Sequence, residues 1–210
     1  LVGTPHGETG GLPLGVEIHG MAYGFNTSAD TALYNTVFFN YKIINRSTNT
    51  YNNVYVGNWT DGDLGCYTDD FVGSDVERSA YYYYNGDGND DIACTSQGYG
   101  LNPPAQGVVL LKGPLADVGD GIDNNHNCTV DEAGETCAMS HFQYYNNSAN
   151  VTGEPQVDTS FYNYMRTVWK DGTLATYGGN GYGGGTPCSY MFPGSSDQVY
   201  AWGTGGNCGS

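Results

Sequence analysis

Basic residues are scarce in this chain: six Lys and Arg stand against 22 Asp and Glu in 210 residues, a formal charge of −16. Gripping a nucleic-acid backbone or an anionic membrane surface takes clusters of Lys and Arg, so both kinds of partner are excluded. No apolar run approaches the roughly 18 residues that a membrane-spanning helix needs. No Cys-x-x-Cys pair occurs, which argues against zinc ribbons, redox motifs and haem attachment. G-x-S-x-G, H-E-x-x-H and G-x-x-x-x-G-K-[ST] are missing as well. His6, His19, His126 and His141 are scattered without the spacing of a triad or a metal cluster. A G-x-G-x-x-G does occur at Gly179, Gly181 and Gly184. It follows the one predicted helix and precedes no other, so it lacks the strand–turn–helix setting of a dinucleotide site.

What is plentiful is acid, tyrosine and glycine. Fifteen of the 22 acids fall in two windows, nine in 61–91 and six in 117–135. Crowding anions costs Coulomb energy unless a cation compensates. Aspartates on glycine-punctuated turns can converge as an oxygen cage. In the first window Asp61, Asp63, Asp69, Asp70, Asp75 and Asp87 are the candidate ligands of a hard cation, most naturally Ca²⁺. The competing reading is a solvated acidic loop that aids solubility.

The second window reads D-G-I-D-N-N-H-N-C-T-V-D-E. With Asp123 as position 1, oxygens recur at Asn125 and Asn127, then at the Thr129 carbonyl, with Asp131 and Glu132 closing the loop. That alternation resembles the start of an EF-hand-like Ca²⁺ loop. It departs from the full pattern, because the glycine expected at position 6 is Cys128 and the closing acids come early. An Asn-rich turn is the alternative.

Fourteen per cent aromatic residues and regular apolar alternation supply a core despite 33 glycines. Residues 16–25 and 31–44 read as strands, with V-F-F-N-Y-K-I-I the strongest. Residues 51–58 are expected to return as the partner strand of a hairpin that delivers the acidic loop. Further strands are predicted at 79–85, 107–112, 140–145 and 198–202. Phe161, Tyr164, Met165, Val168 and Trp169 share one helical stripe, which predicts a helix near 159–170. The fold class expected is all-β, a jelly-roll-like β-sandwich with one short amphipathic helix and long Ca²⁺-binding loops. An arm over 1–15 precedes a single domain over 16–210, with acidic loops at 58–91 and 117–137.

Six cysteines in so Tyr-, Asn- and Gly-rich a chain suggest an extracellular protein with three disulfides, for which sequence allows fifteen connectivities. Proximity favours Cys128–Cys137 and Cys188–Cys208, leaving Cys66–Cys94 to staple the first acidic window.

Several stretches together resemble a poorly characterised extracellular domain of proteins exported by the type IX secretion pathway. They are V-F-F-N-Y-K-I-I-N-R-S, V-Y-V-G-N-W-T-D-G-D-L-G with D-D-F-V-G-S-D, and Y-G-L-N-P-P-A-Q-G-V-V-L-L-K-G-P. D-G-I-D-N-N-H-N and Y-N-Y-M-R-T-V-W-K-D-G-T-L-A-T-Y-G-G-N-G-Y-G-G complete them. The resemblance implies secretion, a β-rich fold and Ca²⁺ loops, and makes the chain look like a trimmed piece of a longer protein. Asp30-Thr31-Ala32 also resembles the short O-glycosylation signal of such proteins, which marks Thr31.

The function expected is non-catalytic: a Ca²⁺-stabilised secreted or cell-surface protein, acting in adhesion or as a structural subunit of an extracellular assembly or filament. Its partners would be further copies or other surface proteins. The alternatives are a carbohydrate-binding module, stacking sugars on Trp59, Trp202 and tyrosines, and a glycan-cleaving enzyme using acids of the first window.

Overall fold

A computed structural model describes residues 7–90, 98–147, 150–178 and 180–193. The chain divides into two compact units, Leu1–Val54 and Tyr55–Ser210, where the sequence reading expected a single domain from 16 onward. Each unit is β-rich and its paired strands are antiparallel.

The first unit is a two-stranded hairpin. Strand β1 (Val16–Gly24) pairs along its full length with β2 (Val37–Asn45), from Val16 opposite Asn45 to Gly24 opposite Val37. The expected pairing of β2 with 51–58 does not form, and 51–58 carries no strand. Two nine-residue strands with matching alternation are the better partners, because register is set by the length and pattern that both sides share. The single-turn helix α1 (Thr31–Tyr34) lies in the connection between them. Asp30 caps it, accepting from Ala32 N and Leu33 N at 3.1 Å each. Aspartate at that position satisfies two amides the turn cannot pair internally.

The second unit is built on a three-stranded sheet. Strand β3 (Asp70–Asp75) pairs with β4 (Ala80–Asn85), which pairs with β7 (Ala105–Val109). Two short strands, β5 (Asn89–Asp90) and β6 (Gly100–Leu101), form a separate ladder. The D-D-F-V-G-S-D stretch, read from sequence as loop, is thus strand from its second residue onward. Its apolar Phe71 and Val72 and its small Gly73 and Ser74 fit a pleated edge beside the tyrosines of β4. Gly73 sits opposite Tyr82, and a methyl group there would come within 2.5 Å of the tyrosine ring. The tyrosines of β4 alternate as expected. Tyr82 and Tyr84 lie on one face with Phe71, while Tyr81 stacks on Phe142 at 5.5 Å on the other.

The main core of this unit gathers Tyr164, Trp169, Ala175, Cys188 and Met191. Helix α2 runs only over Asp158–Tyr164, stopping short of the predicted 170. Ser160 Oγ accepts from Gln156 N and Val157 N, closing the helix start. Beyond it Thr167 takes a positive φ of 51°, and Val168 and Leu174 bridge across an Asp171-Gly172 turn. The stripe residues Val168 and Trp169 are therefore buried from a tight hairpin and not from a helix. β-Branched Thr167 and Val168 weaken helix continuation, and the Asp-Gly pair favours the turn. Residues 140–145 form only the isolated bridge of Phe142 to Tyr190, and the strand expected at 198–202 lies outside the described residues. The described residues comprise separate open sheets, and no described helix is long and apolar enough to cross a membrane.

Candidate metal centre

One end of the β3–β4 ladder collects the acids of the first window. A short 3₁₀ turn (Tyr67–Asp69) leads into β3, so Asp69 and Asp70 sit at the strand's start. Asn85 closes β4 directly opposite Asp70, which puts both side chains on one face. A turn through Gly86 then brings Asp90 of β5 alongside, pinned by Gly86 N donating to the Asp69 carbonyl at 2.7 Å. Acidic oxygens of Asp69 and Asp90 and the sulfur of Cys66 all lie within 4.8 Å of one another.

Asp90 is the anchor of this corner and is fully buried. Its Oδ1 accepts from Cys66 N at 2.9 Å and its Oδ2 from Tyr99 N at 2.5 Å. The approach requires glycine at Gly65, where φ is +71° and a methyl group would fall 2.0 Å from Asp90 Oδ2. Asp70 Oδ2 accepts from Leu64 N at 2.8 Å. The remaining oxygens are unmatched: Asp69 Oδ1, Asp70 Oδ1 and Asn85 Oδ1 are each buried without a hydrogen-bond partner. Asn85 itself is 7% exposed.

The electrostatics point the same way. Burial pushes the Asp70 carboxyl above its usual range, the Leu64 amide opposes this, and the charges of Asp69, Asp90 and Asp63 push it further up. Three carboxylates thus act on Asp70, and no Lys or Arg contributes to its balance. Orphaned buried oxygens and mutually repelling acids are both relieved by a cation. The donors are carboxylate and amide oxygens without imidazole, a set that fits a hard divalent ion; Cys66 sulfur is a poor Ca²⁺ ligand.

The remaining acids expected of this window are not drawn in. Asp75 stands at the far end of β3 and pairs with Arg78 at 2.8 Å, which holds its carboxyl below the usual range. Asp87 is exposed and accepts from Asn89 N at 2.8 Å. Asp61 and Asp63 are exposed, with Asp63 alone of the two acting on Asp70.

The second window folds as a loop wound on its own side chains. Asp123 accepts from Asn127 N at 3.1 Å and Cys128 N at 2.7 Å. Asn125 Oδ1 takes Asn127 N, and Asn127 Oδ1 takes Thr129 N. Cys128 adopts φ +70°, so the residue in the glycine position of the EF-hand pattern takes glycine's conformation. Glu132 Oε1 accepts from the side-chain amides of Asn125 and Asn127 at 2.6 and 2.7 Å, bonds that lower its pKa, while its Oε2 is buried without a partner. Asp131 turns outward to accept from Gly119 N and Gly121 N, so it braces the preceding loop and does not close the cage. Glu135 takes a place the sequence reading did not assign. It is 6% exposed, accepts from Asn124 N at 2.5 Å, and leaves Oε2 buried and unmatched.

Asp90, Asn85 and Glu135 are therefore the functional candidates that sequence reasoning passed over. Asp90 and Glu135 lay inside the acidic windows, but burial singles them out and burial is a tertiary property.

Of the four described cysteines, Cys128 and Cys137 are the free ones, so the bridge between them expected from proximity is not formed. Cys66 and Cys188 are buried, and their expected partners Cys94 and Cys208 lie outside the described residues. Thr31 is exposed at the start of α1. Trp59 is 63% exposed and its indole donates to the Tyr145 hydroxyl; Trp202 lies outside the described residues. No protein-family model matches the chain, and comparison with curated proteins and with solved structures likewise finds no match.

Proposed function

We propose that this chain is a non-catalytic extracellular module whose acidic corner is held together by Ca²⁺, serving in adhesion or as a subunit of a surface assembly. The observation that carries the reading is the trio of buried, unmatched oxygens on Asp69, Asp70 and Asn85 beside the buried carboxylate of Asp90. Left without a cation, these buried unmatched groups cost about 1–3 kcal/mol each. A Ca²⁺ ion accepts six to eight oxygens and removes that cost. The 123–132 loop is proposed as a second, weaker ion site, because its Asn ligands carry no charge.

Disulfides Cys66–Cys94 and Cys188–Cys208, export by the type IX route, O-glycosylation at Thr31 and completion of a β-sandwich belong to the same proposal. Isothermal titration of chelator-stripped protein tests its centre. Ca²⁺ binding below millimolar, abolished by Asp70→Asn, is the expected result; no heat in that range overturns it.

One observation favours a second reading. The raised Asp70 carboxyl, with Asp63 acting on it, also has the character of a general acid in glycan cleavage. Hydrolysis of a polysaccharide panel, lost in Asp70→Asn and insensitive to chelator, would move the assignment to that class.

A further inference from the structure

The β1–β2 hairpin of the first unit has one face with no polar residue until its last pair. Alternation and register place Ile18, Gly20 and Ala22 of β1 together with Ile43, Tyr41 and Phe39 of β2. Those pairs are Ile18 with Ile43, Gly20 with Tyr41 and Ala22 with Phe39. The Tyr41 ring leans over Gly20, where an added methyl group would meet it at 3.2 Å. The Phe39 ring lies parallel to it, 3° between planes. The result is an apolar plate, and it is open to solvent: Phe39 is 63% and Tyr41 64% exposed. No described residue of 7–54 is buried, so the hairpin has no core of its own. An isolated two-stranded ribbon is marginal in water, and an exposed plate of this kind marks an interaction surface.

Charge decides the occupant. Residues 1–54 carry three acids and two bases, a net of −1, whereas 55–210 carry nineteen acids and four bases, a net of −15. Like charge opposes contact between two copies through their acidic 55–210 units, and the hairpin unit carries the least of that penalty. The plate is uncharged and able to face itself across a two-fold axis, the commonest closed arrangement. We propose that it is a homotypic interface, two hairpins stacking face to face as a four-stranded sandwich roughly 10 Å thick. This deepens the assembly reading above and rests on it.

The plate measures about 30 Å by 10 Å from strand rise and spacing. That footprint is well under the ~800 Å² per side of a standard stable interface. Pairing is therefore weak and concentration-dependent, and it strengthens with salt, which screens the acidic units.

Sedimentation of the full Ca²⁺-loaded chain, from low micromolar to near-millimolar and at two salt concentrations, provides the test. The expected result is a reversible dimer favoured by salt and weakened about tenfold by Phe39→Gln, which changes no charge. Asn40→Ser, on the opposite face, leaves it unchanged. Gly20→Val adds apolar surface but displaces the Tyr41 ring, so stacking of the plates predicts a weaker dimer where nonspecific stickiness predicts a stronger one. In the unmodified chain, amide protection over 16–24 and 37–45 rises with concentration. A dimer that forms without that protection, or that Gly20→Val strengthens, overturns this interface while the assembly reading stands. A chain that stays monomeric throughout overturns the interface and removes self-association from the assembly reading, leaving the plate to another protein.

Discussion

At the level of single residues, the acidic corner makes opposite demands on Asp70 with and without a cation. Its folded carboxyl titrates above the usual range, so its contribution to stability is complete below the unfolded pKa and is lost as pH rises through the raised value. Asp70→Asn removes a charge that burial and three acidic neighbours disfavour, so it is expected to melt above the parent at neutral pH in chelator, by about 1 kcal/mol. The gap narrows as pH falls through the carboxylate range, and saturating Ca²⁺ reverses the order. Melts at several pH values, with and without Ca²⁺, check all three statements; a variant that melts below the parent in chelator refutes the first. Asp75 provides the contrast. Arg78→Ala removes its partner at the far end of the strand and leaves the Ca²⁺ titration unchanged. Gly65 is constrained twice, by φ +71° and by Asp90 against its Cα, so Gly65→Ala is expected to cost more than about 2 kcal/mol and to weaken cation binding.

Among the elements, the segment 158–175 shows how part of one apolar stripe, Tyr164, Val168 and Trp169, is buried by two geometries while Phe161 stays 40% exposed. The i, i+3, i+4, i+7, i+8 spacing from Phe161 to Trp169 reads as helix. The chain leaves the helix after Tyr164, and a turn at Asp171-Gly172 then lets Trp169 join the same core while Val168 is buried beside it in sequence. Trp169 is anchored there by its indole donating to the Gly181 carbonyl at 2.8 Å. Periodicity counts which residues face inward but does not distinguish a helix from a turn that reaches the same place. Gly172 takes φ +88° with open space around it, so Gly172→Ala measures backbone strain alone. The expected loss is about 1 kcal/mol in a denaturant melt, smaller than at Gly65. The hairpin register shows a similar limit. Strand propensity at 16–24 and 37–45 was readable, but partner choice depended on 51–58 staying irregular.

For the whole molecule, the two units differ in what holds them. Trp59 and Trp169 both lie in the second unit, so their fluorescence reports its cooperative unfolding alone. Ca²⁺ at a hundred times its dissociation constant should raise that transition by about 2.7 kcal/mol, by mass action on the folded state. A tryptophan-detected melt indifferent to chelator would contradict it. The hairpin unit, with no buried residue among those described, is expected to exchange its amides with opening energies near zero when the chain is dilute.

Charge balance and alternation, read along the chain, already made it acidic and β-rich, because both are properties of residues taken in order. Which acids meet was decided by tertiary structure: antiparallel pairing set Asp70 opposite Asn85 and carried Asp75 to the other end of the same strand. Asp90 and Glu135 gained their importance in the same way. Only folding removes a carboxylate from water, and an unmatched oxygen calls for a cation only once it has been buried.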